Sequence, residues 1–164
     1  MKRAYFAGGC FWCITPAFKN QKGVSGVISG YSGGTETDAV YEKVKRQETS
    51  HRETICVEYD PAAVSFRELV AAFFSSVDPF DGEGQYIDRG RSYTLAVYCS
   101  GPEEEKIVTE KIMETEKISG KKVFVSVEKF TGFYPAEEYH QDYYLKNPEE
   151  FEREMISSGR KNVR

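Results

Sequence analysis

Ala4-Tyr5-Phe6-Ala7-Gly8-Gly9-Cys10-Phe11-Trp12-Cys13 is the stretch on which the reading of this chain turns. The apolar run Ala4 to Ala7 reads as a strand. Gly8-Gly9 lets the backbone turn tightly and leaves the first sulfur uncrowded. The stretch holds two of the four cysteines and the only tryptophan. A thiol just past a strand, near a possible helix start, can be stabilised as thiolate by unpaired backbone amides. Phe11 and Trp12 offer an apolar wall for a small substrate. Cys13, three residues on, can close a disulfide with Cys10. These are the parts of a redox site. The competing reading is a pair of buried structural cysteines, a common place for free Cys.

Working outward, Pro16 poses a choice. If a helix begins at Cys10, Pro16 falls inside it and clashes with the carbonyl of Trp12. Either the helix starts later, with Thr15 as cap and Pro16 in first position, or it is kinked. Only an early start puts Cys10 on the helix end. Val24 to Tyr31 reads as a strand ending in a turn at Gly33-Gly34. Residues 35–50 are polar and predict a surface loop with one helical turn. Glu53 to Tyr59 alternates, with Ile55, Val57 and Tyr59 facing one way, which predicts a half-buried strand. Ser65-Phe66-Arg67-Glu68 is a capping box. It opens a helix with Phe66, Leu69, Val70, Phe73, Phe74 and Val77 at helical spacing, a core stripe. Asp78 to Arg91 predicts a long loop of the kind that tends to be functional. Tyr93 to Tyr98 reads as a strand, Pro102 to Gly120 as a helix with start and stop signals, and Val123 to Val127 as another strand. From Phe133 on the chain is aromatic and irregular, with a last short helix after Pro148.

The alternation of strands and helices predicts an α/β (α+β) fold. We expect a two-layer α/β sandwich with a mixed, ferredoxin-like sheet, helices mainly on one face and a long irregular C-terminal segment. A chain of 164 residues predicts a single catalytic domain over 1–164. It is 40% hydrophobic and 14% aromatic, which argues against disorder. A net charge of -4 with no basic face gives no reason to expect nucleic acid. Four cysteines are too few for a secreted disulfide scaffold. The apolar run behind Met1-Lys2-Arg3 breaks at Gly8-Gly9, too short for a signal-peptide core, and no run reaches the roughly 18 apolar residues of a membrane helix. The expectation is a soluble, cytoplasmic protein with no membrane association, where cysteine is more often catalytic or metal-binding than structural.

Gly-Cys-Phe-Trp resembles the active-site signature of the A-type peptide methionine sulfoxide reductases. Gly30 with Tyr31-Ser32-Gly33-Gly34 is similar to the family's Gly-Tyr-x-Gly-Gly turn, and Tyr41 stands where the family has the tyrosine of its Pro-Thr-Tyr. His51-Arg52-Glu53 is similar to its His-Ala-Glu, followed by Tyr59-Asp60-Pro61. Asp78-Pro79, Gln85, Asp88, Gly90 and Tyr93 match the next block, and His140-Gln141, Tyr143 and Lys146-Asn147-Pro148 the last. The resemblance covers roughly residues 4 to 148.

The resemblance implies thiol-dependent reduction of methionine (S)-sulfoxide, free or in peptides and proteins, with thioredoxin or a similar dithiol protein as reductant and no cofactor or metal. It assigns Cys10 as nucleophile, Glu53 as acid, and Tyr41 and Tyr93 as hydrogen-bond donors to the sulfoxide oxygen. Phe11 and Trp12 would hold the substrate's methyl group, Asp88 would orient the substrate backbone or the tyrosines, and Tyr143 would sit at the rim. The chemistry agrees: a thiolate is a strong, polarizable nucleophile, and a protonated carboxyl with phenols suits an oxygen gathering negative charge. Glu53 would need burial to stay protonated near neutral pH. His51 and His140 read as structural hydrogen-bonders. The chain also departs from the family. Many members have Gly where Cys13 stands and carry the recycling cysteine in a C-terminal tail. Here no cysteine follows Cys99. Cys13 is the obvious substitute, since a Cys-x-x-Cys pair on a helical turn is within closing range, with Cys56 and Cys99 as the other choices. Two rivals remain. One is a thioredoxin-like disulfide oxidoreductase built on the same pair. The other is a structural zinc site of Cys10, Cys13, Cys56 and Cys99, poorly spaced for want of a second close pair.

Overall fold

In the structure, a computed structural model in which residues 1–158 are described, the chain runs β1 (Lys2–Gly8), α1 (Phe11–Lys19), β2 (Val24–Ser32), α2 (Tyr41–Lys45), β3 (Arg52–Tyr59) and α3 (Phe66–Ser76). It continues through β4 (Gly84–Gln85), β5 (Asp88–Arg89), β6 (Leu95–Cys99), α4 (Pro102–Ser119), β7 (Ser126–Lys129), β8 (Tyr134–Pro135), α5 (Tyr143–Lys146) and α6 (Pro148–Ser158). Six strands form one mixed sheet in the order β7-β6-β1-β3-β2-β8, with β6 and β7 parallel and the other neighbours antiparallel. The expected α/β architecture is the one that forms.

Side-chain alternation sorts the two faces. Ala4 and Phe6 of β1, Ile55 and Val57 of β3, and Leu95 and Val97 of β6 meet Ile14 and Phe18 of α1 and Leu69 and Phe73 of α3 in the main core. Phe6 is wedged between Phe18 and Phe73, with ring centroids 5.2 and 5.1 Å away. Burying each such ring contributes on the order of 2–3 kcal/mol. On the opposite face Ala7, Ala96 and Tyr98 pack with Tyr5 and Phe130, the latter two stacked at 4.1 Å.

The capping box forms as read: Ser65 Oγ accepts from Glu68 N at 3.1 Å and Glu68 Oε1 from Ser65 N at 3.3 Å. Gly120 ends α4 at φ 71, a left-handed stop that glycine adopts without penalty. Three expectations are corrected. The strand β3 is buried on both faces, not half-buried, because it lies between β1 and β2 and its polar face is covered; Arg52 reaches Tyr98 Oη and Glu128 there. Tyr93 belongs to a 3-10 turn, and the strand starts only at Leu95. The strand expected at Val123 starts at Ser126, because Val123 N and Phe124 N bond instead to Glu116 Oε2 and Pro79 O. The loop 78–91 folds partly into the β4–β5 hairpin. Among the described residues no helix is long and apolar enough to cross a membrane.

Candidate active site

The sheet explains why residues far apart in sequence converge at Cys10. The C-terminal end of β1 lies between the N-terminal ends of its two antiparallel neighbours: Phe6 pairs with Ile55 of β3, and Gly8 with Leu95 of β6. Glu53 therefore comes to one side of the Gly-Gly turn and Tyr93 to the other. Gly8 is needed for space, since a Cβ there would lie 3.0 Å from Ile14, Phe73 and Val77. Gly9 turns the chain at φ 86, where a side chain is strained.

Cys10 is the cap residue of α1, so the early helix start is the one that forms, and Pro16 lies inside the helix. With no N–H, Pro16 cannot donate to the carbonyl of Trp12. The Thr15 hydroxyl donates to Phe11 O at 2.6 Å beside it. The first-turn amide of Phe11 donates to Glu53 Oε1 at 3.1 Å, which ties β3 to the helix start.

Around Cys10 the residues Phe11, Trp12, Cys13, Tyr41, Glu53, Asp88 and Tyr93 enclose a cavity of about 230 Å³, room for one side chain rather than a drug-sized ligand. Tyr41 opens α2, where Glu137 Oε2 accepts from its backbone N at 3.2 Å while Glu137 Oε1 accepts from Tyr31 Oη at 2.9 Å. Asp88 comes from the β4–β5 hairpin. Tyr143 does not line the cavity. It lies flat against Trp12 at 4.0 Å and donates to Glu150 Oε2 at 2.9 Å, so it backs the pocket wall. Three lining residues escaped the sequence reading: Lys45, Ile87 and Glu154. Lys45 could have been found, since it sits four residues after Tyr41 on the same helix face. Glu154 had no local signal, because only the packing of α6 brings it there.

Glu53 is 1% exposed. Burial, reinforced by Asp88 and Cys13, pushes its carboxyl up to about 8 against the pull of the Phe11 amide and Lys45. It is thus mostly protonated at neutral pH, as an acid must be. Burial and the nearby Glu53 also hold the Tyr41 and Tyr93 phenols well above their ordinary value. Cys10 differs from expectation. A hydrogen bond with Cys13, burial and the charges of Glu53 and Asp88 raise its thiol rather than lower it, so the resting sulfur is protonated despite the helix end.

Of the other cysteines, only Cys13 lines the cavity. Cys56 and Cys99 lie within β3 and β6, and burial pushes their thiols up to about 11 and about 12. Among the described residues no group of three or more His, Cys, Asp or Glu side chains is placed to hold a metal ion. The histidines differ from each other. His51 Nδ1 bonds Thr49 Oγ1 at 2.9 Å, as expected. Among the described residues His140 makes no side-chain hydrogen bond and instead packs at a tilt against Tyr41 at 4.3 Å and Tyr139 at 4.0 Å.

A family model described as "Peptide methionine sulfoxide reductase" matches residues 2–164. The chain is 39% identical over 163 residues to the peptide methionine sulfoxide reductase MsrA of Listeria welshimeri, covering 98% of this chain and 92% of that one. It is 40% identical over 159 residues to the MsrA of Bacillus velezensis, covering 96% and 90%. Among solved structures, reduced Mxr1 of Saccharomyces cerevisiae superposes with a TM-score of 0.85 at 29% identity, covering 90% of this chain and 86% of that one. Mxr1 in complex with Trx2 shares the fold at a TM-score of 0.61 and 21% identity, covering 85% and 83%. A buried acid, two phenols and a cysteine pair around one small cavity, in a chain matched along its whole length, place this enzyme among the peptide methionine sulfoxide reductases, which reduce methionine sulfoxide at the expense of thiols.

Proposed function

We propose that Cys10 attacks the sulfur of methionine (S)-sulfoxide while Glu53 protonates the departing oxygen. Oxygen passes from the substrate sulfur to Cys10 Sγ, leaving methionine and a Cys10 sulfenic acid; the substrate sulfur is reduced by two electrons and Sγ is oxidised by two. The Cys13 thiol then condenses with the sulfenic acid, forming the Cys10–Cys13 disulfide and water. A dithiol protein of the thioredoxin type supplies the two electrons that reopen it, as the complex of the yeast relative with Trx2 suggests. Tyr41 and Tyr93 donate hydrogen bonds to the oxygen, Phe11 and Trp12 hold the methyl group, Asp88 orients the substrate backbone, and Tyr143 steadies Trp12. Substrates are free and protein-bound methionine sulfoxide, and four free cysteines suit a cytoplasmic setting.

The observation that carries this reading is the convergence of Cys10, Cys13 and a neutral Glu53 on one cavity. The match of residues 2–164 to the peptide methionine sulfoxide reductase model supports this reading over a thioredoxin-like oxidoreductase. The test offers the purified enzyme both sulfoxide epimers with a thiol reductant. Consumption of the S epimer alone is expected; equal consumption of both, or of neither, refutes the reading.

A further inference from the structure

The C-terminal helix α6 contains no cysteine, yet it is packed onto the cysteine pair. Phe151 and Met155, one helical turn apart, are buried against Cys10 and Cys13. The Tyr143–Glu150 hydrogen bond fastens the start of the same helix. Glu154, beside Met155 and three residues after Phe151, is thereby delivered to the catalytic cavity, where it stands with Asp88 and Lys45. Burial, Asp88 and Glu150 push its carboxyl above the ordinary value, a crowding of negative charge that an incoming cation relieves. With Glu53 neutral, these three groups leave the cavity with one negative charge in excess.

We propose that Glu154 is a specificity-determining residue that favours substrates with a free α-ammonium group, free methionine sulfoxide or an N-terminal sulfoxide residue, over N-acylated ones. The proposal rests on the placement of the reacting sulfoxide at Cys10 and Glu53. The α-carbon of such a substrate is three bonds from its sulfur, so the α-nitrogen stays within the same small cavity. An acylated nitrogen can offer only a neutral N–H, whereas an ammonium makes a charge-assisted hydrogen bond.

The experiment measures kcat/KM for methionine (S)-sulfoxide and for its N-acetyl derivative, with dithiothreitol as reductant, in the wild type, Glu154→Gln and Glu154→Asp. The ratio of free to acetylated substrate should fall about fivefold in Glu154→Gln, the scale of a partly screened ion pair. The change should lie mainly in KM, and Glu154→Asp should restore part of it. In the wild type, 1 M salt should lower the ratio too. An equal ratio in wild type and Glu154→Gln, or an equal loss on both substrates, overturns the proposal and leaves α6 a mere cover. A wild type inactive on both substrates overturns the catalytic assignment instead, and the specificity role with it.

Discussion

Replacing Glu53 by Gln keeps the shape and an oxygen to accept from the Phe11 amide, 3.1 Å away in the wild type, but removes the proton that the proposed mechanism needs. Two consequences can be measured separately. The first is kinetic: single-turnover sulfoxide reduction should slow by about 10²-fold or more, the scale of acid catalysis. The wild-type rate should also lose its acid as pH rises through about 8, where Glu53 ionises. The second is thermodynamic. Between the ordinary value of 4.5 and about 8 the folded chain keeps a proton that the unfolded chain has released. The unfolded state then binds fewer protons, so wild-type stability falls as pH rises across that window. The contribution is fully present below 4.5 and lost above about 8. At 1.36 kcal/mol per pH unit the loss is about 3 kcal/mol at pH 7 and about 4–5 kcal/mol at pH 9. Glu53→Gln has no such slope. Urea unfolding of both proteins at pH 5, 7 and 9 should show the variant gaining on the wild type as pH rises. Parallel stability curves would refute the claim that Glu53 is held neutral, and a near-normal single-turnover rate would remove it from the chemistry.

Cys13→Ser should still reduce about one sulfoxide per enzyme yet fail to turn over with thioredoxin, while Cys10→Ser does neither; full thioredoxin-driven turnover in Cys13→Ser would pass the resolving role to Cys56, to Cys99 or to direct attack by the reductant. Tyr41→Phe and Tyr93→Phe should each lower kcat about tenfold with little change in KM, and the double variant about 10²- to 10³-fold, as for lost oxyanion donors; an effect confined to KM in steady-state kinetics would make them binding residues only.

What the sequence disclosed was local. The capping box at Ser65, the stripe from Leu69 to Phe73 and the Gly120 stop each rest on neighbours along one helix, and each forms as read. The turn at Gly8-Gly9 was legible for the same reason. Resemblance brought Glu53, Tyr41, Tyr93 and Asp88 together, because no periodicity can reveal that a strand starting at Arg52 lies beside the end of another at Gly8. What stayed hidden depends on long-range packing. The second buried face of β3 could not be foreseen, since Arg52, Thr54 and Cys56 look like a solvent face until Tyr98 covers it. His140 looked like a hydrogen-bonder and is instead a ring packed at a tilt against Tyr41. Glu154 enters the cavity only because Phe151 and Met155 dock on the cysteines.

The protonation of the resting site fits the overall chemistry better than the thiolate expected from a helix end. The hydrogen bond with Cys13 and burial raise Cys10, a charge on Glu53 would raise it further, and burial raises Glu53. A buried cluster of this kind resists holding two negative charges at once, so Cys10 and Glu53 both rest protonated. On the proposed mechanism that form holds what the oxygen requires. The oxygen leaves the site as water, and its two hydrogens balance the two thiol protons lost when Cys10 and Cys13 become a disulfide. Glu53 can then act as a shuttle: it protonates the sulfoxide oxygen as the S–O bond weakens and is reset by the proton that Cys10 gives up. No net proton comes from solvent in the reductive half of the cycle, which explains how the chemistry can run in a cavity whose acid is 1% exposed. The cost of keeping Glu53 neutral appears instead as the pH-dependent loss of stability that Glu53→Gln should abolish.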